Sequence, residues 1–170
     1  TIAAQRSPRE VEDDELYMEA YSDLIQFLDE KTNCPVIRER NSEADDLIAT
    51  WCQNHPDDRN VIISSDSDFI QLLDDNVELF NGITNVHYTK DAIYNEKDQK
   101  VEFTVTNDGK VKVGKPNENF EAPAEWIDFC LFLKCVRGDK SDNIFRAYPG
   151  ARMKGSKNKT GITEAFNDRN

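Results

Sequence analysis

A short apolar run that ends in acidic residues constrains this chain more than any other feature. Val61-Ile62-Ile63 has the composition of a buried strand, and Asp66 and Asp68 follow it closely. Acids at the carboxyl end of a buried strand lie in the crevice where α/β proteins place their sites. The alternative role is the N-cap of a following helix, which Asp66 or the serine after it could supply. A cap explains one of the two acids, so this pair is a candidate site.

Hydrophobic periodicity and turn signals predict an α/β fold built on a mainly parallel sheet, with strands and helices in alternation. The predicted helices cover residues 7–30, 42–55, 67–73, 124–137 and 163–167. The predicted strands cover residues 35–38, 61–64 and 77–80. Ser42 can cap the second helix, whose predicted core face consists of Ala44, Leu47, Ile48, Trp51 and Cys52.

Residues 84–114 have a different pattern, with alternating β-formers on either side of Asn107-Asp108-Gly109. This pattern predicts a β-hairpin with a tight turn, which we interpret as an insertion outside the core. Residues 116–123 are predicted to form a linker. Gly138 is expected to end the apolar helix that follows.

The distribution of charge is uneven along the 170 residues. The net charge of −12 argues against a general binder of polyanions. Residues 10–30 nevertheless hold nine acids, whereas residues 143–163 hold no acid and five bases: Arg146, Arg152, Lys154, Lys157 and Lys159. The basic segment is therefore a candidate phosphate-binding surface.

The remaining composition suits a cytoplasmic protein. No apolar run approaches the ~20 residues that a membrane span needs, so no membrane association is expected. The four cysteines form no CxxC pair and are interpreted as reduced thiols in the core. His55 is interpreted as a helix-end residue, since no second histidine or cysteine lies at metal-ligand spacing.

Two further acidic clusters lie at predicted element ends. Glu43 and Asp45 flank the apolar face of the second helix at its N-terminus, where acids also complement the helix dipole. Asp139 and Asp142 follow the apolar helix in a turn and could be ordinary loop acids. A pocket holding four or more carboxylates needs counter-charge, and no strongly basic stretch lies between the clusters. Mg²⁺, which takes oxygen ligands, would supply that charge.

At these clusters the sequence resembles a known family. "EADD" at 43–46, "ISSDSDF" at 63–69 and "GDKSDNI" at 138–144 occur in the order and spacing of the 5′-to-3′ exonuclease and flap endonuclease family. Within that family the chain looks most similar to the enzymes called ribonuclease H in T-even-like bacteriophages. The resemblance implies a PIN-like α/β domain that carries a helix–three-turn–helix element. The PIN-like part would be residues 1–137, and residues 138–170 would be a truncated DNA-binding element.

The resemblance also implies an activity and its residues. The expected reaction is hydrolysis of RNA primers and 5′ flaps on duplex DNA during phage replication, with two Mg²⁺ ions or Mn²⁺ as a substitute. Glu43 and Asp45 would serve the first metal, and Asp66, Asp68 and Asp142 the second. Asp46 and Asp139 would lie in the outer shell. The five bases would grip the duplex, and a single-strand DNA-binding protein and a sliding clamp are the expected partners.

The sequence departs from the family pattern in three places. The family begins with a strand bearing a metal-ligating Asp, and a second Asp precedes a helical arch whose bases contact the scissile phosphate; these parts are not present here. The turn Tyr148–Arg152 is poorer in glycine than usual, and a longer basic insertion, Met153–Thr160, follows it. We therefore expect the chain to be the central part of a longer enzyme, which makes its activity alone doubtful.

Two other functions are consistent with parts of the sequence. A non-catalytic module could bind duplex DNA through the segment from Arg146 to Lys159. A phosphotransfer or phosphatase domain would use a strand-end Asp as nucleophile. That chemistry also needs a Lys and a Thr or Ser on neighbouring strands, which the sequence does not place.

Overall fold

The structure is a computed structural model, and it describes residues 8–139, 143–148, 151–156 and 160–169, without the side chains of residues 8–11. The chain divides into two compact units, the first ending at Leu47 and the second beginning at Ile48. Helix α2, Ala44–Asn54, continues across the division. Among the described residues, no helix is both long and apolar enough to cross a membrane.

The first unit is dominated by helix α1, Pro8–Lys31, which agrees with the predicted first helix. Its tyrosines stack, with the rings of Tyr17 and Tyr21 6.3 Å apart, and Arg38 lies 5.2 Å from the Tyr21 ring centre. The predicted strand over residues 35–38 is wrong, because residues 34–39 adopt no regular structure. A strand is stabilised by hydrogen bonds to a neighbour, and residues 34–39 pair with none of the described strands.

Helix α2 has the predicted position but only part of the predicted core face. Cys52 is buried, and Ile48 packs against the same core. Trp51 is 44% exposed, and its ring stacks on His55 at 4.1 Å. The His55 ring nitrogen Nδ1 also lies 2.8 Å from the Trp51 carbonyl, which agrees with a helix-end role for this histidine.

The main sheet has four strands in the order β1-β2-β3-β4: β1 Asn60–Ile63, β2 Val77–Asn81, β3 Val86–Tyr88 and β4 Ile93–Tyr94. Among the described strands of this sheet, only β1 and β2 are parallel; β3 pairs antiparallel with both β2 and β4. The sheet is therefore mixed rather than mainly parallel. Short connections force antiparallel pairing, whereas a parallel pair needs a crossover of a dozen or more residues.

Strand β1 is buried on one face only, which corrects the expectation of a fully buried strand. Ile62 points into the core, whereas Ile63 is 76% exposed. The crossover from β1 to β2 contains a 3₁₀ helix, Ser67–Leu72, at the place of the predicted short helix. Phe69 and Ile70 of this turn are buried under the sheet.

A two-stranded hairpin follows, with β5 Val101–Val105 and β6 Val111–Pro116 pairing antiparallel around the predicted turn. The expectation that residues 84–114 lie outside the core is wrong. Ile93, Val101 and Phe103 are almost completely buried, and the Phe103 ring lies 4.8 Å from the Trp126 ring. This segment forms strands β3 and β4 of the main sheet, and it also contributes to the hydrophobic core.

The second unit ends with two helices, α3 Trp126–Arg137 and α4 Ile162–Asn167. Gly138 ends α3 as predicted, with φ of 72° and its N–H donating to the Lys134 carbonyl at 2.8 Å. Phe166 of α4 packs against Phe129 and Phe132 of α3, with ring distances of 4.9 and 5.4 Å. The functional division at residues 137/138 stays a prediction.

The four cysteines are all free thiols, but the prediction that they lie in the core is wrong for two of them. Cys34 and Cys135 are exposed, and Cys52 and Cys130 are buried. Burial raises the pKa of Cys130 to about 11.

Candidate active site

Asp66 lies directly after β1 and has the capping role considered as the alternative. Its Oδ1 accepts a hydrogen bond from the Asp68 backbone N–H at 2.8 Å, which makes it the N-cap of the 3₁₀ helix. The Asp66 N–H in turn donates to Ser64 Oγ at 3.1 Å. The cap fixes the backbone around both aspartates. Asp66 remains exposed, so capping and ligand binding are compatible.

Asp68 contacts Lys134 of α3, a residue that sequence reasoning missed. The Lys134 ammonium pairs with Asp68 Oδ1 and lies 3.9 Å from Asp139 Oδ2. The side chains of Lys134 and Asp139 are each 16% exposed, and that of Asp68 is 36% exposed. Two of the three acidic motifs therefore meet around one cation, and Lys134 supplies part of the counter-charge that the sequence analysis assigned to Mg²⁺.

The signal for Lys134 was present in the sequence. Trp126, Cys130 and Leu133 form the buried face of α3, and Lys134 is one turn beyond Cys130 on that side. A lysine at the edge of an apolar face needs a partner, because burying an unpaired charge is costly. Its partners were the acids at the end of β1 and after Gly138.

The carboxylate groups of this region have the chemistry that a hard divalent cation needs, but the described residues alone do not form a complete metal site. Carboxylate oxygens are the ligands that Mg²⁺ prefers. No group of three or more candidate ligand side chains comes together among the described residues. Asp142 lies outside the described residues. The ammonium of Lys134 contacts Asp68 and is near Asp139, so the site already favours positive charge between them.

The cluster Glu43, Asp45 and Asp46 belongs to the first unit, at the N-terminus of α2. All three residues are exposed. The helix begins at Ala44, and an Asp46 carboxylate oxygen accepts from the Glu43 N–H at 3.4 Å, as in half of a capping box. The residue directly before the helix is Glu43, so the prediction that Ser42 caps it is wrong by one residue. The predicted convergence of these acids with Asp66, Asp68 and Asp142 stays a prediction.

The basic segment between α3 and α4 is only partly described. Arg146, Arg152 and Lys154 are exposed, whereas Lys157 and Lys159 lie outside the described residues. The Ile162 N–H donates to the Arg152 carbonyl at 2.9 Å, which ties the segment to the start of α4. A Glu164 carboxylate accepts the Gly155 N–H at 3.1 Å, and this hydrogen bond is the main reason that the pKa of Glu164 is lowered.

Comparison with known families agrees with the acidic motifs. Residues 3–102, more than half of the chain, match the family described as 5′-3′ exonuclease, N-terminal resolvase-like domain. The chain belongs to this 5′-3′ exonuclease family. The predicted membership and the PIN-like, resolvase-like α/β class are thereby confirmed.

A solved structure has the same fold as this family member. The crystal structure of the T5 D15 protein, co-crystallized with metal ions, matches with a TM-score of 0.58 and 23% sequence identity. The match covers 96% of this chain and 48% of the T5 D15 chain. The exonuclease-family chain thus spans about half the length of that protein.

Proposed function

We propose that the chain is part of a Mg²⁺-dependent 5′-to-3′ nuclease that hydrolyses phosphodiester bonds in RNA primers and 5′ flaps on duplex DNA during phage replication. One observation carries this proposal: Asp68 and Asp139, from two separate motifs of the family pattern, meet around Lys134. Membership of a 5′-3′ exonuclease family supports the reaction class. The metal ions in the T5 D15 crystals support a metal requirement.

The proposed ligands are carboxylates at element ends. Asp66, Asp68 and Asp142 would hold one ion, and Glu43 and Asp45 would serve the other. Two such ions supply activation of a water molecule and stabilisation of the leaving oxygen in phosphodiester hydrolysis. The hydrogen bond from the Asp68 N–H holds the Asp66 carboxylate in place before an ion binds, and Lys134 holds the carboxylate of Asp68.

Lys134 has a defined part in this scheme. It offsets the charge of Asp68 and Asp139 when no divalent ion is present, so that α3 and the end of β1 stay together. Without this cation the two carboxylates would repel each other. Asp139 would orient Lys134 and not bind the ion directly, which agrees with its assignment to the outer shell.

The exposed bases of the segment between α3 and α4 would bind the duplex backbone. Arg146, Arg152 and Lys154 are accessible to a phosphate strand. Contacts to phosphates position a duplex without reading its sequence, as a structure-selective nuclease requires. The proposed setting is the host cytoplasm, with a single-strand DNA-binding protein and a sliding clamp as partners.

The test is cleavage of a 5′-flap substrate by the natural full-length protein with Mg²⁺. Asp68→Asn should abolish cleavage while leaving the fold intact. The matched control is Asp75→Asn, since Asp75 pairs with Lys90 near the start of β2, away from the site. Duplex binding without any metal-dependent cleavage would favour the alternative, a non-catalytic DNA-binding module. Equal cleavage by the wild type and Asp68→Asn would contradict the nuclease assignment to this site.

A further inference from the structure

The tip of the β5–β6 hairpin packs against α3 close to the candidate active site. Gly109 is buried at the tip, with φ of 78°. A Cβ atom placed there would lie 2.9 Å from the Cys130 carbonyl oxygen and 3.1 Å from Lys134 Cγ. The absence of a side chain lets the backbone of the tip approach the helix this closely. The hairpin is thereby docked beside the lysine that pairs with Asp68.

The tip is also internally ordered. The Thr106 N–H donates to the Lys110 carbonyl at 2.7 Å, and the Gly109 N–H donates to the Thr106 carbonyl at 3.0 Å. Asp108 accepts a hydrogen bond from the Thr106 hydroxyl. These bonds fix the turn, so Lys110 has a defined position relative to α3.

Between the tip and the end of α3 lies a cavity of about 350 Å³. Asp108 and Lys110 line it from the hairpin, Arg137 and Asp139 line it from the end of α3, and Arg146 lines it from the basic segment. Three cations and two acids thus face one space. Asp139 belongs both to this cavity and to the Lys134 cluster, so the two are adjacent.

The two acids of the cavity have partners of their own. The hydrogen bond from the Thr106 hydroxyl is the main reason that the pKa of Asp108 lies below its usual range, and the charge of nearby Lys110 lowers it further by a smaller amount. Asp139 lies 3.9 Å from Lys134. Because Lys134 offsets the charge of Asp139, the three cations of the cavity outnumber the remaining acid, Asp108.

The three cations form no ion pair in the part of the chain that the structure describes. No ion pair forms at Lys110 or Arg146 among those residues. The Arg137 Nε is buried and has no hydrogen-bond partner there, and an Arg137 Nη2 contact to the Ala151 carbonyl is 3.5 Å long. Arg137 lines the cavity, so its positive charge adds to those of Lys110 and Arg146 there.

We propose that this cavity is a subsite for a backbone phosphate of the nucleic-acid substrate, held by Lys110, Arg137 and Arg146. The subsite rests on the proposed nuclease function and adds to it the β5–β6 hairpin as a substrate-binding element. Lysine ammonium and arginine guanidinium groups form charge-assisted hydrogen bonds to phosphate oxygens. The phosphate would belong to a nucleotide next to the carboxylates, because Asp139 borders both places.

The test is binding of a 5′-flap DNA to the full-length protein in EDTA, measured by fluorescence anisotropy. Lys110→Ala and Arg146→Ala should each weaken binding about tenfold, as expected for loss of one charge-assisted hydrogen bond. Each should also reduce the slope of log affinity against log salt by about one. Both residues are exposed, so circular dichroism should show an intact fold.

The matched control is Lys115→Ala, which removes the same charge from the same hairpin but outside the cavity. Its affinity should stay within about twofold of the wild type. Equal affinities of Lys110→Ala and Lys115→Ala would overturn the subsite, even if the protein cleaves flaps. If the wild type cleaves no flap substrate but Lys110→Ala still binds the DNA tenfold more weakly, the subsite is supported and the nuclease function is contradicted. A wild type that binds no DNA would overturn both.

Discussion

Gly109→Ala should destabilise the second unit by about 2–3 kcal/mol, because Gly109 is the point at which the hairpin touches α3. Its φ of 78° lies in the left-handed region, which costs an alanine about 1 kcal/mol or more. The new Cβ would also lie 2.9 Å from the Cys130 carbonyl oxygen, a backbone atom that cannot rotate away. Overpacking of this kind costs about 1–3 kcal/mol, partly offset by about 0.4–1 kcal/mol from the less flexible unfolded chain.

Urea unfolding followed by circular dichroism measures this loss, and a slope of about 1–3 kcal/mol/M makes the midpoint fall by about 0.7–3 M. Gly82→Ala is the control, because its Cβ would meet only the Phe80 ring at 3.9 Å and its φ is not positive. That control should change stability by less than about 0.5 kcal/mol. Equal midpoints for the two variants would refute the docking of the hairpin tip on α3.

Three further predictions follow from buried or paired groups. Lys134→Met should lower the free energy of unfolding in EDTA by about 1–3 kcal/mol. This loss is smaller than that for a fully buried ion pair, because Asp68 is 36% exposed. In thermal melts, Mg²⁺ should restore more stability to this variant than it adds to the wild type. The pKa of Glu78 is lowered, chiefly by a hydrogen bond from Arg59. The ionised Glu78 therefore stabilises the fold at pH values above its unfolded pKa of about 4.3, and this stabilisation is lost as pH falls through its folded pKa. Glu78→Gln should accordingly make stability fall less steeply at acid pH. A thiol reagent at pH 8 should modify two cysteines in the native protein and four after denaturation, since Cys52 and Cys130 are buried; rapid native modification of all four would contradict the core packing.

The helices were the most predictable part of the fold, because each has a local signal. Gly138 with its positive φ ended α3 as expected, and the boundaries of α1 and α3 fell within two residues of the prediction. Strands depend on partners elsewhere in the chain. Residues 35–38 have strand composition but pair with no described strand, and Ile63 is apolar yet exposed.

The site was predictable as a set of motifs but not as a set of contacts. The spacing of "EADD", "ISSDSDF" and "GDKSDNI" identified the family and the candidate acids. It did not reveal which of these acids are already engaged in the folded chain. Asp66 caps a turn and Asp46 caps a helix, roles decided by one or two backbone N–H groups. Such bonds depend on the local backbone path, which residue spacing alone does not determine.

Lys110 illustrates why substrate contacts are harder to predict than metal ligands. Metal ligands are few in type and recur at element ends, so their spacing carries information. A phosphate accepts hydrogen bonds from any lysine or arginine, and the sequence contains 21 such residues. Position selects among them: Gly109 brings the hairpin tip to α3, and Lys110 then faces the same cavity as Arg137 and Arg146. The turn that the sequence pattern assigned to a peripheral insertion therefore lines the candidate phosphate subsite. Gly109, which allows the hairpin to pack against α3, is as necessary to this subsite as Lys110, which would bind the phosphate.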